Sequence, residues 1–369
     1  MIVKNNYNEC LTNLACSIRK YYGLNIKHSS LVYIDKLFEE KQPKNIVVIL
    51  FDGMGSKILD RTLSKASFFI KNRIKEITTV FPATTTAATT SIRTGLNPVE
   101  HGWLGWNMYI APIQETITLF KNSPKGEEET ISEEFLEVKN KLVQKTIVDE
   151  INEDTGFEAV EISPFSKTKY EDLDDMLAII QKECKRDGKK YIYVYDKEPD
   201  HTMHDLGPDD VEVKQLIQTR NDKVEKLCSK LQDTILIVIA DHGHKLVDPI
   251  YLEKQYPAIM NMLERTTSLE PRAVSFKVKN GQEEKFKREF NKNLGADFSL
   301  YDRQEVIDSH LFGDGVENEL FKESIGDFIA IAENSNKCIL TKEDTNHRSQ
   351  HAGYSEDEIY VPLIVIDKT

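Results

Sequence analysis

Four almost wholly apolar runs constrain this chain more than any other feature. They are NIVVILF (residues 45–51), YIYVY (191–195), TILIVIA (234–240) and IYVPLIVI (359–366). Continuous apolar runs of this length belong to strands buried on both faces of a parallel sheet. Helical patterns such as DLDDMLAIIQKECKRDG and DDVEVKQLIQTRNDKVEKLCSKL lie between them. Strands alternating with helices predict an α/β fold with a doubly wound, mostly parallel central sheet flanked by helices. Pro362 cannot donate to a ladder, so the last strand is expected at an edge or with a late start. Residues 7–40 predict two amphipathic helices ahead of the first strand.

Two stretches break this rhythm. Residues 103–142 hold strand-like text from Tyr109 to Leu119 and the charged loop NSPKGEEET. Residues 251–344 hold the strand candidate AVSFKVK, the charged helix EEKFKREFNKNLG and a strand near FIAIAE. The expected organisation is a catalytic core in residues 1–250, a smaller inserted α+β subdomain in 251–344, and a return to the core in 345–369.

What ends each apolar run points to chemistry. The first runs into Asp52-Gly53, the second leads to Asp200 and His204, and the third runs into Asp241-His242-Gly243-His244. His351 lies just before the last run. Ligands of open α/β sheets gather beyond the carboxyl ends of the strands, so these groups can share one cleft. Each also has an ordinary reading. Asp52-Gly53 can be a plain turn, Asp200 and His204 a solvated i, i+4 pair, and His201, His244 and His347 surface histidines. Together they argue for more, because three carboxylates in one cleft repel and are costly to bury unpaired. Two divalent cations convert the charge of −3 from Asp52, Asp200 and Asp241 into +1 and leave a site that attracts phosphate. Mixed Asp and His donors suit zinc.

The segment FPATTTAATTSIRTG (81–95) is unusually rich in hydroxyls. Ala87, Ala88 and Ile92 suit a short helix that stops at Gly95. Thr84 or Thr85 could simply cap its first turn. Alternatively, a hydroxyl at a helix N-terminus, where anions are favoured, is placed to attack a phosphate.

The net charge of −13 excludes a general nucleic-acid-binding surface. No apolar run approaches the length of a membrane span, so no membrane partner is expected. Five scattered cysteines without a C-x-x-C pair read as reduced thiols of a cytoplasmic protein. No pattern in the sequence specifies an oligomeric state.

The strand-Asp-Gly opening, FPATTTAATTSIRTG with LNPVEHG, EPDHTMHDLGP, ADHG and HAGY follow one another in a particular order. In that order they resemble the nucleotide pyrophosphatase/phosphodiesterase family of the alkaline phosphatase superfamily. The resemblance implies an alkaline-phosphatase-like fold and two divalent cations, with zinc the preferred ion. Asp52, Thr85, Asp241 and His242 would hold one cation, with Thr85 the nucleophile. Asp200, His204 and His351 would hold the other. The implied activity is hydrolysis of phosphodiester or pyrophosphate bonds in small nucleotide-type substrates through a phospho-threonine. A phosphomonoesterase, phosphomutase or phosphonate hydrolase of the superfamily is the alternative, and a metal- or phosphate-binding sensor a third reading. Two positions depart from the family pattern: Ala88 replaces an asparagine, and Gly105-Trp106 an Asp-Asn pair. Asn107 or a bound water is the candidate to supply the missing donor. His101 is expected to be structural, and Arg93 an ordinary ion-pair partner.

Overall fold

A computed structural model describes residues 4–127, 133–142, 144–333, 335–342 and 347–369. Helices Leu11–Tyr21 and Val32–Lys41 precede the first strand, as the sequence predicts. The central sheet has six strands in the order 73–78, 360–368, 234–239, 45–51, 190–196 and 158–162. Four of them, 234–239, 45–51, 190–196 and 158–162, run parallel. The strand Asn45–Phe51 is buried along its whole length, as a continuous apolar run requires.

The chain starts in the middle of this sheet with 45–51, lays 73–78 at one edge, fills the opposite side with 158–162 and 190–196, then crosses back to 234–239. The reversal lies at Asn45–Phe51. In doubly wound sheets such a switch opens a crevice at the carboxyl ends of the strands. Three adjacent strands therefore deliver Asp52, Asp200 and Asp241 to one rim. Their ends are level: Phe51 pairs with Asp196, and Leu50 with Ile239.

The last strand corrects an expectation. Tyr360–Lys368 is not at an edge; it lies inside the sheet, antiparallel to both neighbours. Its first half, 360–364, pairs with Arg73–Thr78, and its second half, 364–368, with Thr234–Ile239. Pro362 sits in the first half, where only one side is paired, so its missing N–H breaks no ladder.

A second, antiparallel sheet of seven strands takes 107–110, 115–118 and 123–124 from the first irregular stretch. It takes 268–270, 273–276, 298–302 and 328–332 from the second. The two stretches join where Leu269 pairs with Asn107. We keep residues 251–344 as a proposed inserted subdomain whose sheet is completed by 107–124. Among the described residues, no helix is long and apolar enough to cross a membrane. All five cysteines are buried free thiols.

Candidate metal centre

The Asp-Gly turn after the first strand is specific. Gly53 has φ +71°, and a Cβ there would lie 3.0 Å from Asp200 Cβ. Only glycine meets both demands without strain. The turn aims the Gly53 N–H at Asp241 Oδ1 (3.0 Å), which also accepts from the His242 N–H (3.0 Å). Asp241 Oδ2 is buried with no hydrogen-bond partner. A buried carboxylate oxygen left in this state calls for a cation.

Asp52 lies beside it. Its Oδ2 accepts from Tyr195 Oη at 2.5 Å, and its Oδ1 lies 3.3 Å from His242 Nε2. His242 Nε2 is 3.6 Å from Asp241 Oδ2. Both Asp52 oxygens lie 3.3 Å from Thr85 Oγ1, which is itself 3.2 Å from His242 Nε2. Thr85 opens the helix Thr85–Thr94.

The hydroxyls around it do not cap this helix. Thr84 makes no side-chain cap bond and donates instead to Glu270 Oε1 at 2.6 Å. Thr89 and Thr90 donate to the carbonyls of Thr85 and Thr86, four residues back. Thr85 turns its hydroxyl to Asp52 and His242.

A second cluster adjoins the first through Asp200. Donor atoms of Asp200, His204, His244 and His351 lie within 4.8 Å of one another, as do those of Asp52, Asp200 and His242. Each imidazole is fixed through Nδ1. His242 Nδ1 faces the Gly243 carbonyl (3.1 Å), His204 the Ser349 carbonyl (3.0 Å) and His351 the Ala83 carbonyl (3.0 Å). A carbonyl only accepts, so each Nδ1 carries the hydrogen and leaves Nε2 as a free donor to a cation.

Charge accounts for the rest. Burial, and then Asp241 and Asp200, push the Asp52 carboxyl well above its ordinary range. Burial likewise raises Asp241. For Asp200, burial is outweighed by His204 and His244, which hold it well below that range. Burial lowers His351 well below an ordinary imidazole. Nearby Asp196, also at a strand end, shows the contrast. Arg220 donates to it from Nε (3.1 Å) and Nη2 (2.6 Å), so it needs no cation.

The seven residues singled out in the sequence thus meet in one place. His347 does not join them; its ring packs against His204, and its Nδ1 is 3.9 Å from Asp205. His101 is structural: fully buried, it accepts from the Trp103 N–H and meets Ser91 Oγ, and burial drives its pKa down to about 3. Asn107 Oδ1 accepts from Thr118 Oγ1 across a strand pair. Ala88, on the helix Thr85–Thr94, packs into the core. Sequence reasoning missed Tyr195, Ser349 and Glu270; only spacing to Asp200 and His351 could have hinted at the first two.

Outside the metal cluster a cleft of about 920 Å³ opens past Asp52, Thr85 and Asp200. Trp106 and Phe120, with ring centroids 5.6 Å apart, wall one part of it, and Phe165 and Tyr195 (6.3 Å) another. Arg93 lines it too, paired with Glu161 at 2.8 Å, together with Lys167 and Lys197.

Residues 46–355 match the family profile described as type I phosphodiesterase / nucleotide pyrophosphatase. No curated protein matches the chain in sequence. Among solved structures, murine ectonucleotide pyrophosphatase/phosphodiesterase 5, in an inactive form with AMP, is 18% identical with a TM-score of 0.65. The match covers 86% of this chain and 87% of that one. The human protein of that name is 17% identical with a TM-score of 0.66, covering 87% of each chain. Phosphonoacetate hydrolase from Sinorhizobium meliloti 1021, in complex with phosphonoformate, is 15% identical with a TM-score of 0.63. It covers 88% of this chain and 90% of that one. At these identities the likeness carries the fold.

Proposed function

The chain belongs to the type I phosphodiesterase / nucleotide pyrophosphatase family, and from that premise we propose that it cleaves phosphodiester or pyrophosphate bonds of nucleotide-type substrates through Thr85. The observation that carries this reading is Thr85 Oγ1 at 3.2–3.3 Å from His242 Nε2 and Asp52, beside the unpaired, buried Asp241 Oδ2. In this reading Asp52, Asp241, His242 and Thr85 hold one divalent cation, and Asp200, His204 and His351 a second. Bound there, zinc or a similar ion supplies Lewis-acid stabilisation of phosphoryl charge and lowers the pKa of a coordinated hydroxyl.

Thr85 Oγ forms a bond to phosphorus as the bond to the leaving oxygen breaks on the opposite side. Asp52 is placed to accept the hydroxyl proton, and the leaving oxygen takes one from solvent. Water then attacks the nucleotidyl-threonine, the bond from phosphorus to Oγ breaks, Thr85 regains the proton held by Asp52, and the proton of the attacking water passes to solvent. Two in-line displacements retain configuration at phosphorus. Tyr195 holds Asp52 in orientation. The aromatic walls suit a flat base, and the AMP bound by the murine structure is a ligand of that class. The buried free thiols agree with a cytoplasmic location.

The test compares kcat/KM for the p-nitrophenyl ester of thymidine 5′-monophosphate, p-nitrophenyl phosphate and phosphonoacetate. The diester should be preferred, chelation should abolish turnover, and zinc should restore it. A tenfold preference for the monoester, about 1.4 kcal/mol of transition-state binding, would replace the diesterase reading with the phosphatase one.

A further inference from the structure

We propose that His244 is a fourth protein donor to the second cation, so that Asp200, His204, His244 and His351 hold this ion more tightly than the first is held. The inference rests on the two-cation reading above. His244 follows the Asp241-His242-Gly243 turn and is completely buried. Its Nδ1 lies 2.9 Å from Ser349 Oγ, and that hydroxyl donates its hydrogen to the Met203 carbonyl at 2.6 Å. Ser349 Oγ therefore accepts from His244 Nδ1–H. A neutral imidazole has a single N–H, so His244 Nε2 presents a lone pair.

That lone pair faces Asp200 Oδ1, with which it is in close contact. Two acceptors brought this near each other repel unless positive charge lies between them. A cation also in reach of His204 and His351 supplies that charge for all four groups. The rings are arranged to share it. Centroids of His204, His244 and His351 are 4.8, 5.2 and 5.4 Å apart, and every pair is edge-to-face. Ser349 fixes two of the three, its carbonyl accepting from His204 and its hydroxyl from His244.

Three imidazoles and one carboxylate complete the four-coordinate shell that zinc prefers, and the nitrogen-rich set discriminates against magnesium and calcium. The first site has three such donors and Thr85.

The test titrates the zinc-loaded full-length protein with a chromophoric chelator and counts bound zinc by mass spectrometry. Wild type should lose two ions in two separate steps. His244→Gln and His244→Asn should raise the dissociation constant of the tighter ion by at least about tenfold, merging the steps. Ser349→Ala, which keeps the carbonyl that orients His204, should loosen the same step less. If wild type holds two ions and His244→Gln leaves both steps in place, His244 is not a donor although the two-cation reading stands. If wild type holds fewer than two ions, that reading itself fails. Anomalous diffraction from zinc in wild-type crystals decides the matter even if the variants do not fold: density centred among the four side chains supports the proposal, and density out of reach of His244 Nε2 overturns it.

Discussion

Replacing Arg272 by methionine should loosen the metal centre from behind. Arg272 and Glu358 are both fully buried. The guanidinium donates to Glu358 Oε1 (2.6 Å) and Oε2 (2.9 Å), and through Nη1 to the Lys337 carbonyl (2.7 Å). Glu358 also accepts from the Gly353 N–H (2.8 Å) and Ser355 Oγ (2.5 Å), two and four residues past His351. Its own carbonyl accepts from the Gly243 N–H (2.9 Å), inside the turn that carries Asp241, His242 and His244. One buried pair therefore anchors both histidine loops to the second sheet. Burial alone would raise Glu358, but Arg272 outweighs it and holds the carboxyl below its ordinary range.

Methionine fills the volume but leaves Glu358 buried and uncompensated, a loss of about 3–5 kcal/mol. With about 2.1 cal/mol/K of unfolding entropy per residue over 369 residues, that corresponds to a Tm lower by about 4–6 °C in a single transition. Scanning calorimetry of Arg272→Met, Glu358→Gln and the double variant measures it. The double variant should recover part of the loss, because the orphaned charge is gone, and the single variants should bind zinc more weakly. A Tm within about 1 °C of wild type for Arg272→Met, or a double variant whose losses simply add, refutes the reasoning.

Thr85→Ala should keep its metal content, since Asp52, Asp241 and His242 remain, while kcat falls on the order of 10³-fold or more; Thr84→Ala should cost only about 1 kcal/mol of stability, and a reversal of the two would shift the nucleophile by one residue. Tyr195→Phe removes the hydrogen bond that orients Asp52, so zinc affinity at the first site should drop about 10- to 100-fold, read by chelator titration. Burial raises Glu270 to about 7. Its neutral form therefore contributes stability that is complete below the unfolded value near 4.3 and lost as pH rises through about 7. Metal-free wild type should consequently lose more thermal stability than Glu270→Gln between pH 5 and 7.5, and parallel melting curves would show that Glu270 does not titrate there.

The sequence announced the central sheet and the rim of the cleft because both rest on local signals. A continuous apolar run fixes a buried strand, and the residue that ends it falls at the strand's carboxyl end whatever the rest of the chain does. That logic reached Asp52, Asp200, His204, Asp241 and His242 directly and placed His351 just ahead of the last run; the family resemblance supplied Thr85 as nucleophile and the division of the ligands between two cations. It could not reach groups whose role depends on distant partners. Ser349 matters because its hydroxyl and carbonyl meet His244 and His204, and Arg272 because it meets Glu358 across 86 residues. Nothing within a few residues of either announces this. Pro362 misled for a related reason: its effect on a strand depends on which side is paired, and that is decided by two neighbours far away in the chain.

The stereochemical course at phosphorus tests the central claim most directly. A thymidine 5′-phosphorothioate diester of one configuration, hydrolysed in ¹⁸O-labelled water, yields a chiral product whose configuration reports the number of displacements. Attack by Thr85 followed by attack of water predicts retention. Inversion would mean that water attacks the substrate directly, and Thr85 would then not be the nucleophile.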